Sequence, residues 1–122
     1  MLLSVVDLHA ITVHREPEVL RKSVKGMAIS LLACGVDPSK SVLFAQSRVP
    51  EHSELAWILT CHTPLGWLRR MTQFKSKASK DNPTVDVDKD ASLFESSVRT
   101  GLFTYPALMA SDILLYKYVC HA

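Results

Sequence analysis

A chain of 122 residues and 13.6 kDa is long enough for one domain with a core and short for two. Its 48% hydrophobic and 21% charged residues place it among soluble globular proteins, and a formal charge of +2 is too small to argue for nucleic acid unless basic residues cluster locally. Cys34, Cys61 and Cys120 form no C-x-x-C pair and fit a reducing compartment better than a disulfide framework, while no apolar run approaches the roughly 20 residues that span a bilayer. The opening MLLSVVDLHAIT has neither a basic n-region nor a small-residue cleavage pattern, and it is not Arg- and Ser-rich. No targeting peptide is expected there.

Residues 2–6, LLSVV, form a short apolar run ending at Asp7, the pattern of a buried strand. Asp7 and His9 stand at alternate positions just past it, where open parallel sheets bind ligands. The plainer alternative is a carboxylate and an imidazole satisfied by nearby backbone. In residues 15–35, Leu20, Val24, Met27, Ala28 and Leu31 recur at helical spacing, with Glu18, Arg21, Lys22 and Lys25 on the other side. Pro17 suits the first turn of that helix and Gly35 its stop. VDPSK (36–40) is a turn, and SVLFAQS (41–47) reads as a second buried strand. VPEHSELAWILTC (49–61) gives a helix opened by Pro50, with Leu55, Ile58 and Leu59 on one face. Strand, helix, strand, helix in this order predicts a parallel α/β sheet in a single domain.

Residues 64–80 gather Arg69, Arg70, Lys75, Lys77 and Lys80 around Trp67 and Phe74, in a stretch that reads as partly helical. A phosphate or nucleic-acid contact and an ordinary solvated helix face both account for it. Neither a G-x-x-x-x-G-K-[ST] loop nor a G-x-G-x-x-G turn occurs in the chain. Residues 81–99 are polar and acidic without a clear period and read as a loop or insertion. Asp86, Asp88 and Asp90 have the spacing of a calcium loop, but Ala91 and Ser97 occupy the positions that need glycine and glutamate. His14, His52, His62 and His121 show no metal-ligand spacing.

The final helix, residues 104–116, carries a misfit. Asp112 lies in TYPALMASDILLY, where its neighbours ask for burial, and a buried unpaired charge is costly. At helical spacing Tyr105, Met109 and Asp112 share one face, offering an aromatic wall, a thioether and an acceptor-only carboxylate. Such a face suits a flat aromatic ligand with one N–H donor. A core helix whose Asp112 pairs with a basic side chain or caps a neighbour stays open beside it.

SVVDLHAIT (4–12), LLACGVDPSKSVLFAQSRVPEHSELAWILTC (31–61), PLGWLRRMTQFKSK (64–77) and GLFTYPALMASDILLY (101–116) together closely resemble tryptophanyl-tRNA synthetases of the bacterial type, which also serve eukaryotic mitochondria. The resemblance follows the family's order and spacing over most of the chain; residues 81–99 depart from it as an insertion. It implies a class I synthetase with a Rossmann-like parallel sheet and flanking helices, usually homodimeric, of which residues 1–122 form the central part of the catalytic domain. It implies L-tryptophan, ATP with Mg²⁺, and tRNA-Trp as partners, with no prosthetic group and no membrane. By the same resemblance Asp112 accepts the indole N–H, Tyr105 and Met109 line the pocket, His9 lies beside it, and Lys77 points toward the ATP phosphates. No residue is assigned to bond-making or to a metal.

A pocket built to satisfy a substrate N–H rejects analogues lacking it by roughly 10⁴–10⁵, because its own acceptor would be stranded. The family's G-I-Q-P-T-G and G-N-Y-x-G signature, its G-E-D-Q segment and its Lys-Met-Ser-Lys-Ser loop do not occur here. The expectation is therefore a fragment that carries the amino-acid pocket with little or no ligase activity alone. A non-catalytic tryptophan-binding or subunit-pairing module is one alternative, and a relative of tyrosyl-tRNA synthetase is another. The expected compartment is the cytoplasm for a bacterial source and the mitochondrial matrix for a eukaryotic one, with the insertion leaning toward the latter.

Overall fold

The computed structural model describes residues 1–71 and 99–117. Phe74, Lys75, Lys77, Lys80, the acidic stretch at 81–98 and residues 118–122 lie outside them. In chain order the elements are β1 (Leu2–Val5), α1 (Asp7–Ala10), α2 (Pro17–Ala33), β2 (Val42–Ala45), a 3-10 turn (Gln46–Arg48), α3 (Glu51–His62), α4 (Leu65–Arg69) and α5 (Thr100–Leu114). β1 and β2 pair in parallel, with Leu2 opposite Val42 and Val5 opposite Ala45. A parallel pair needs a crossover of a dozen residues or more, and α1 and α2 provide it. The arrangement is α/β, as the alternation of elements predicts.

The bounds of α2 follow from local chemistry. Pro17 sits at its first position after an extended Glu16, where a missing N–H costs nothing. At the other end Gly35 takes φ +96, and its N–H bonds the Leu32 carbonyl at 3.0 Å. The Val36 N–H reaches back to the Leu31 carbonyl at 3.1 Å, completing a Schellman turn. Leu20, Val24, Ala28 and Leu31 are half-buried as their spacing predicts, but Met27 is exposed.

Two expectations are corrected. The strands are not buried runs: Leu2 is 48% and Val42 57% exposed, and Val5 alone of β1 is buried. Among the described residues the sheet has two strands and an open edge on each, so apolar residues at its ends stay in water. The last helix begins at Thr100, a turn before Thr104, and so takes Pro106 into its interior. The extra turn buries Leu102 beside Tyr105, against Val13 and Phe103. Burying a leucine contributes about 1.5–3 kcal/mol, which offsets most of the roughly 3 kcal/mol an interior proline costs.

α3 and α5 pack against each other. Within α3 the buried residue is His52, while Ile58 of the expected apolar face is exposed. The Ser111 hydroxyl, fully buried on α5, lies 2.9 Å from the His52 carbonyl and 2.7 Å from that of Leu108. That contact fixes how the two helices sit and brings Asp112 over the ends of the strands.

Candidate functional site

Four elements converge on the Asp112 carboxylate. His9 comes from α1, just past β1, and Gln46 opens the 3-10 turn directly after β2. His52 comes from the first turn of α3, and Asp112 from the last turn of α5. Two of these side chains thus stand at the C-terminal ends of parallel strands, the edge at which such sheets bind ligands.

The bonds are short and well distributed. Gln46 Nε2 donates to Asp112 Oδ1 at 2.8 Å and to Oδ2 at 2.9 Å. His52 Nδ1 is 2.7 Å from Oδ1, and His9 Nε2 is 2.9 Å from Oδ2. Gln46 is fully buried and His52 is 1% exposed, whereas the side chains of His9 and Asp112 retain 20% and 21%. The carboxylate among apolar neighbours is therefore paired rather than stranded, and donors facing a carboxylate form the stronger class of hydrogen bond.

Behind this layer stands Tyr116, two residues past α5, with its hydroxyl 2.9 Å from His52 Nε2. Burial, followed by the negative charges of Asp112 and Glu51, holds this phenol above its ordinary range. It stays protonated at neutral pH and donates to Nε2. The acceptor-only Asp112 on the other side requires a proton on His52 Nδ1, and in the neutral ring this leaves Nε2 to accept from the phenol. Phe44 of β2 stacks on the His52 ring, with centroids 6.0 Å apart and planes at 29°. Tyr116 leans on the same ring at 5.5 Å.

Gln46 carries an imbalance. Its amide nitrogen must face Asp112, because two oxygens there would repel. That leaves Oε1 buried with no partner among the described residues, an arrangement that costs about 1–3 kcal/mol.

The residues singled out by sequence are distributed as follows. His9, Tyr105 and Asp112 come together: the Tyr105 ring meets the His9 ring edge-on, with centroids 6.4 Å apart and planes at 72°. Tyr105 is buried, and Met109, one turn along α5, is 42% exposed. Lys77 lies outside the described residues. Asp7 is not part of the cluster. It accepts the Ser47 N–H at 2.9 Å and the Ser47 hydroxyl at 2.5 Å, a structural clasp between α1 and the 3-10 turn. In α4, Leu68 is buried while Trp67 and Arg69 are exposed, as is Arg70 just past its end.

Sequence reasoning missed Gln46, His52 and Tyr116. Gln46 carried a usable signal, since it is the first polar residue after the apolar run VLFA and stands where a strand ends. His52 and Tyr116 carried none, because nothing in their local spacing marks them.

Against known proteins, the family model described as tRNA synthetases class I (W and Y) matches residues 1–121. The tryptophan–tRNA ligase of Rickettsia felis is 51% identical over 111 residues, covering 91% of this chain and 30% of that protein. That of Brucella melitensis biotype 1 is 50% identical over 113 residues, covering 93% of this chain and 28% of its own length. The chain thus spans about three-tenths of the curated relatives it matches. Among solved structures, tryptophanyl-tRNA synthetase from Mycoplasma pneumoniae superposes with a TM-score of 0.77 at 43% identity, over 93% of this chain and 31% of that one. The Campylobacter jejuni enzyme, solved with ADP and tryptophan, gives 0.74 at 36% identity, over 90% and 30%.

Proposed function

Because the chain belongs to the class I tRNA synthetase family of the W and Y enzymes, we propose that it carries the amino-acid pocket of a tryptophan–tRNA ligase. The observation that carries this reading is Asp112: an acceptor-only carboxylate at the strand ends, on the helix face of Tyr105 and Met109, with His9 at its rim. That set suits a flat aromatic side chain bearing one N–H. The relative solved with ADP and tryptophan supports the same pair of ligand classes here.

On this reading residues 1–122 are one unit of a catalytic domain, with 81–99 as its insertion, and they bind L-tryptophan at Asp112, Tyr105 and Met109, with His9 beside the pocket. ATP, as its Mg²⁺ complex, is the second substrate, and Lys77 is the residue this chain offers toward its phosphates. Asp7, the other carboxylate at the strand ends, is engaged by Ser47, so no residue is assigned to Mg²⁺. The amino acid passes through an adenylate to tRNA-Trp in the complete homodimeric enzyme. The curated relatives named above are bacterial, which favours a cytoplasmic setting and lends nothing to a mitochondrial one. No described helix is long and apolar enough to cross a membrane.

Calorimetric titration of L-tryptophan into the chain and into Asp112→Ala tests the pocket. Losing a hydrogen bond to a charged group costs about 1.5–3 kcal/mol, so the variant binds roughly 10- to 100-fold more weakly. Equal binding by both removes Asp112 from the account. Competition with tyrosine separates the two branches of the family, and tighter tyrosine binding would favour the other one. Tryptophan-dependent pyrophosphate exchange by residues 1–122 is expected to be negligible; measurable exchange would show that these residues suffice for activation as well as for binding.

A further inference from the structure

The Asp112 carboxylate has no lone pair to spare. It offers about four acceptor sites, and each oxygen already has two contacts: a Gln46 N–H shared by both, with His52 on Oδ1 and His9 on Oδ2. An incoming N–H therefore has to replace a donor already in place. Resting on the reading that tryptophan binds here, we propose that His9 is a place-holder whose Nε2–H occupies Asp112 in the empty pocket and gives way to the ligand N–H. Gln46 and His52 remain as the fixed cradle.

The three donors are not equally removable. Gln46 is fully buried, bridges both oxygens and already has an unpartnered Oε1 among the described residues, so withdrawing it strands a second group. His52 is held from every side: Tyr116 on Nε2, Phe44 on its ring face and Ser111 on its backbone carbonyl. His9 is different. Its ring is one-fifth exposed, its Nδ1 has no partner among the described residues, and water can satisfy Nε2 once it leaves. It also meets Tyr105 edge-on, so it borders the wall against which an aromatic ligand would lie. The Thr12 hydroxyl and N–H both bond the His9 carbonyl, at 2.7 and 3.3 Å. With the backbone pinned, the exchange is a side-chain rotation.

The sign of one measurement separates this role from that of a simple ligand contact. A contact residue weakens binding when removed. A place-holder competes with the ligand, so the free pocket is competent for only part of the time, and removing the competitor tightens binding.

The test uses the 122-residue chain, with the histidine side-chain nitrogens followed by NMR during titration with L-tryptophan. His9 Nε2 is expected to lose its hydrogen-bonded signature at saturation while His52 Nδ1 keeps its own. In 1-methyltryptophan the donor is replaced by a methyl group, and it is expected to leave the His9 signature unchanged. His9→Phe, which keeps an aromatic ring against Tyr105 but cannot donate, is expected to bind tryptophan roughly 3- to 10-fold more tightly. Unchanged or weaker binding by that variant overturns the proposal. So does a His9 signature that persists with tryptophan bound, or one displaced equally by the methylated analogue. The NMR result needs no variant and stands if His9→Phe does not fold. Failure of the wild-type chain to bind tryptophan overturns the proposed function together with this inference, whereas binding with His9 in place overturns this inference alone.

Discussion

Helix α2 of the crossover and the cradle between α3 and α5 are held together in opposite ways. At the end of α2 the bonds close over a few residues: the stop joins Gly35 to Leu32 and Val36 to Leu31. In the cradle they close over 60, 66 and 103 residues, from His52, Gln46 and His9 to a single carboxylate. Local bonds survive individual substitution because each carries little else, whereas a shared acceptor couples all its donors. Long-range polar networks should therefore be fragile at a point, and local turns should yield by increments.

Substitutions on either side sharpen or break that contrast. His52→Leu should have the largest effect. It leaves Asp112 Oδ1 short of a donor and the Tyr116 hydroxyl without its His52 partner, and should cost about 3 kcal/mol. A urea midpoint lowered by less than a third of that would mean the cradle is not a coupled unit. Gly35→Ala comes next, at about 1 kcal/mol, because φ +96 disfavours a Cβ even though nothing lies within 4 Å of it. Gly26→Ala, inside α2 with open space around it, should act in the opposite direction. It should raise stability by just under about 1 kcal/mol, read as a higher melting temperature; a loss would mean that an unseen contact crosses that face.

The smallest effect concerns pH. Tyr116 has its folded pKa above the unfolded value near 10, so the native state keeps its proton longer. Its stabilising contribution is intact below about pH 10 and is lost as pH rises through the folded value. Phenolate absorbance should show one tyrosine ionising late, and Tyr116→Phe should abolish that component.

Much of the crossover was legible in the sequence, and little of the cradle was. Pro17 and Gly35 bound α2 because a proline ring and a left-handed φ act within one turn. The half-buried stripe of Leu20, Val24, Ala28 and Leu31 follows from helical period alone. Asp112 was conspicuous because it violates its surroundings, and motif resemblance supplied its candidate ligand. The surroundings that resolve the violation were hidden. Periodicity in α3 pointed to Leu55, Ile58 and Leu59, yet the buried side chain is His52, whose place is set by α5 and Phe44. The start of α5 was misread for a related reason. Burial of Leu102 beside Tyr105 starts the helix at Thr100, a turn ahead of Thr104, and places Pro106 inside it.

The two-stranded sheet has a practical consequence. β1 and β2 each present one outer row of backbone donors and acceptors that no described strand pairs, beginning at the exposed Leu2 and Val42. Open apolar edges of this kind template the addition of further strands, and no described proline or bulge blunts them. A dilution series run beside each affinity and unfolding midpoint would show whether a second copy adds a strand there, since such association makes both depend on protein concentration.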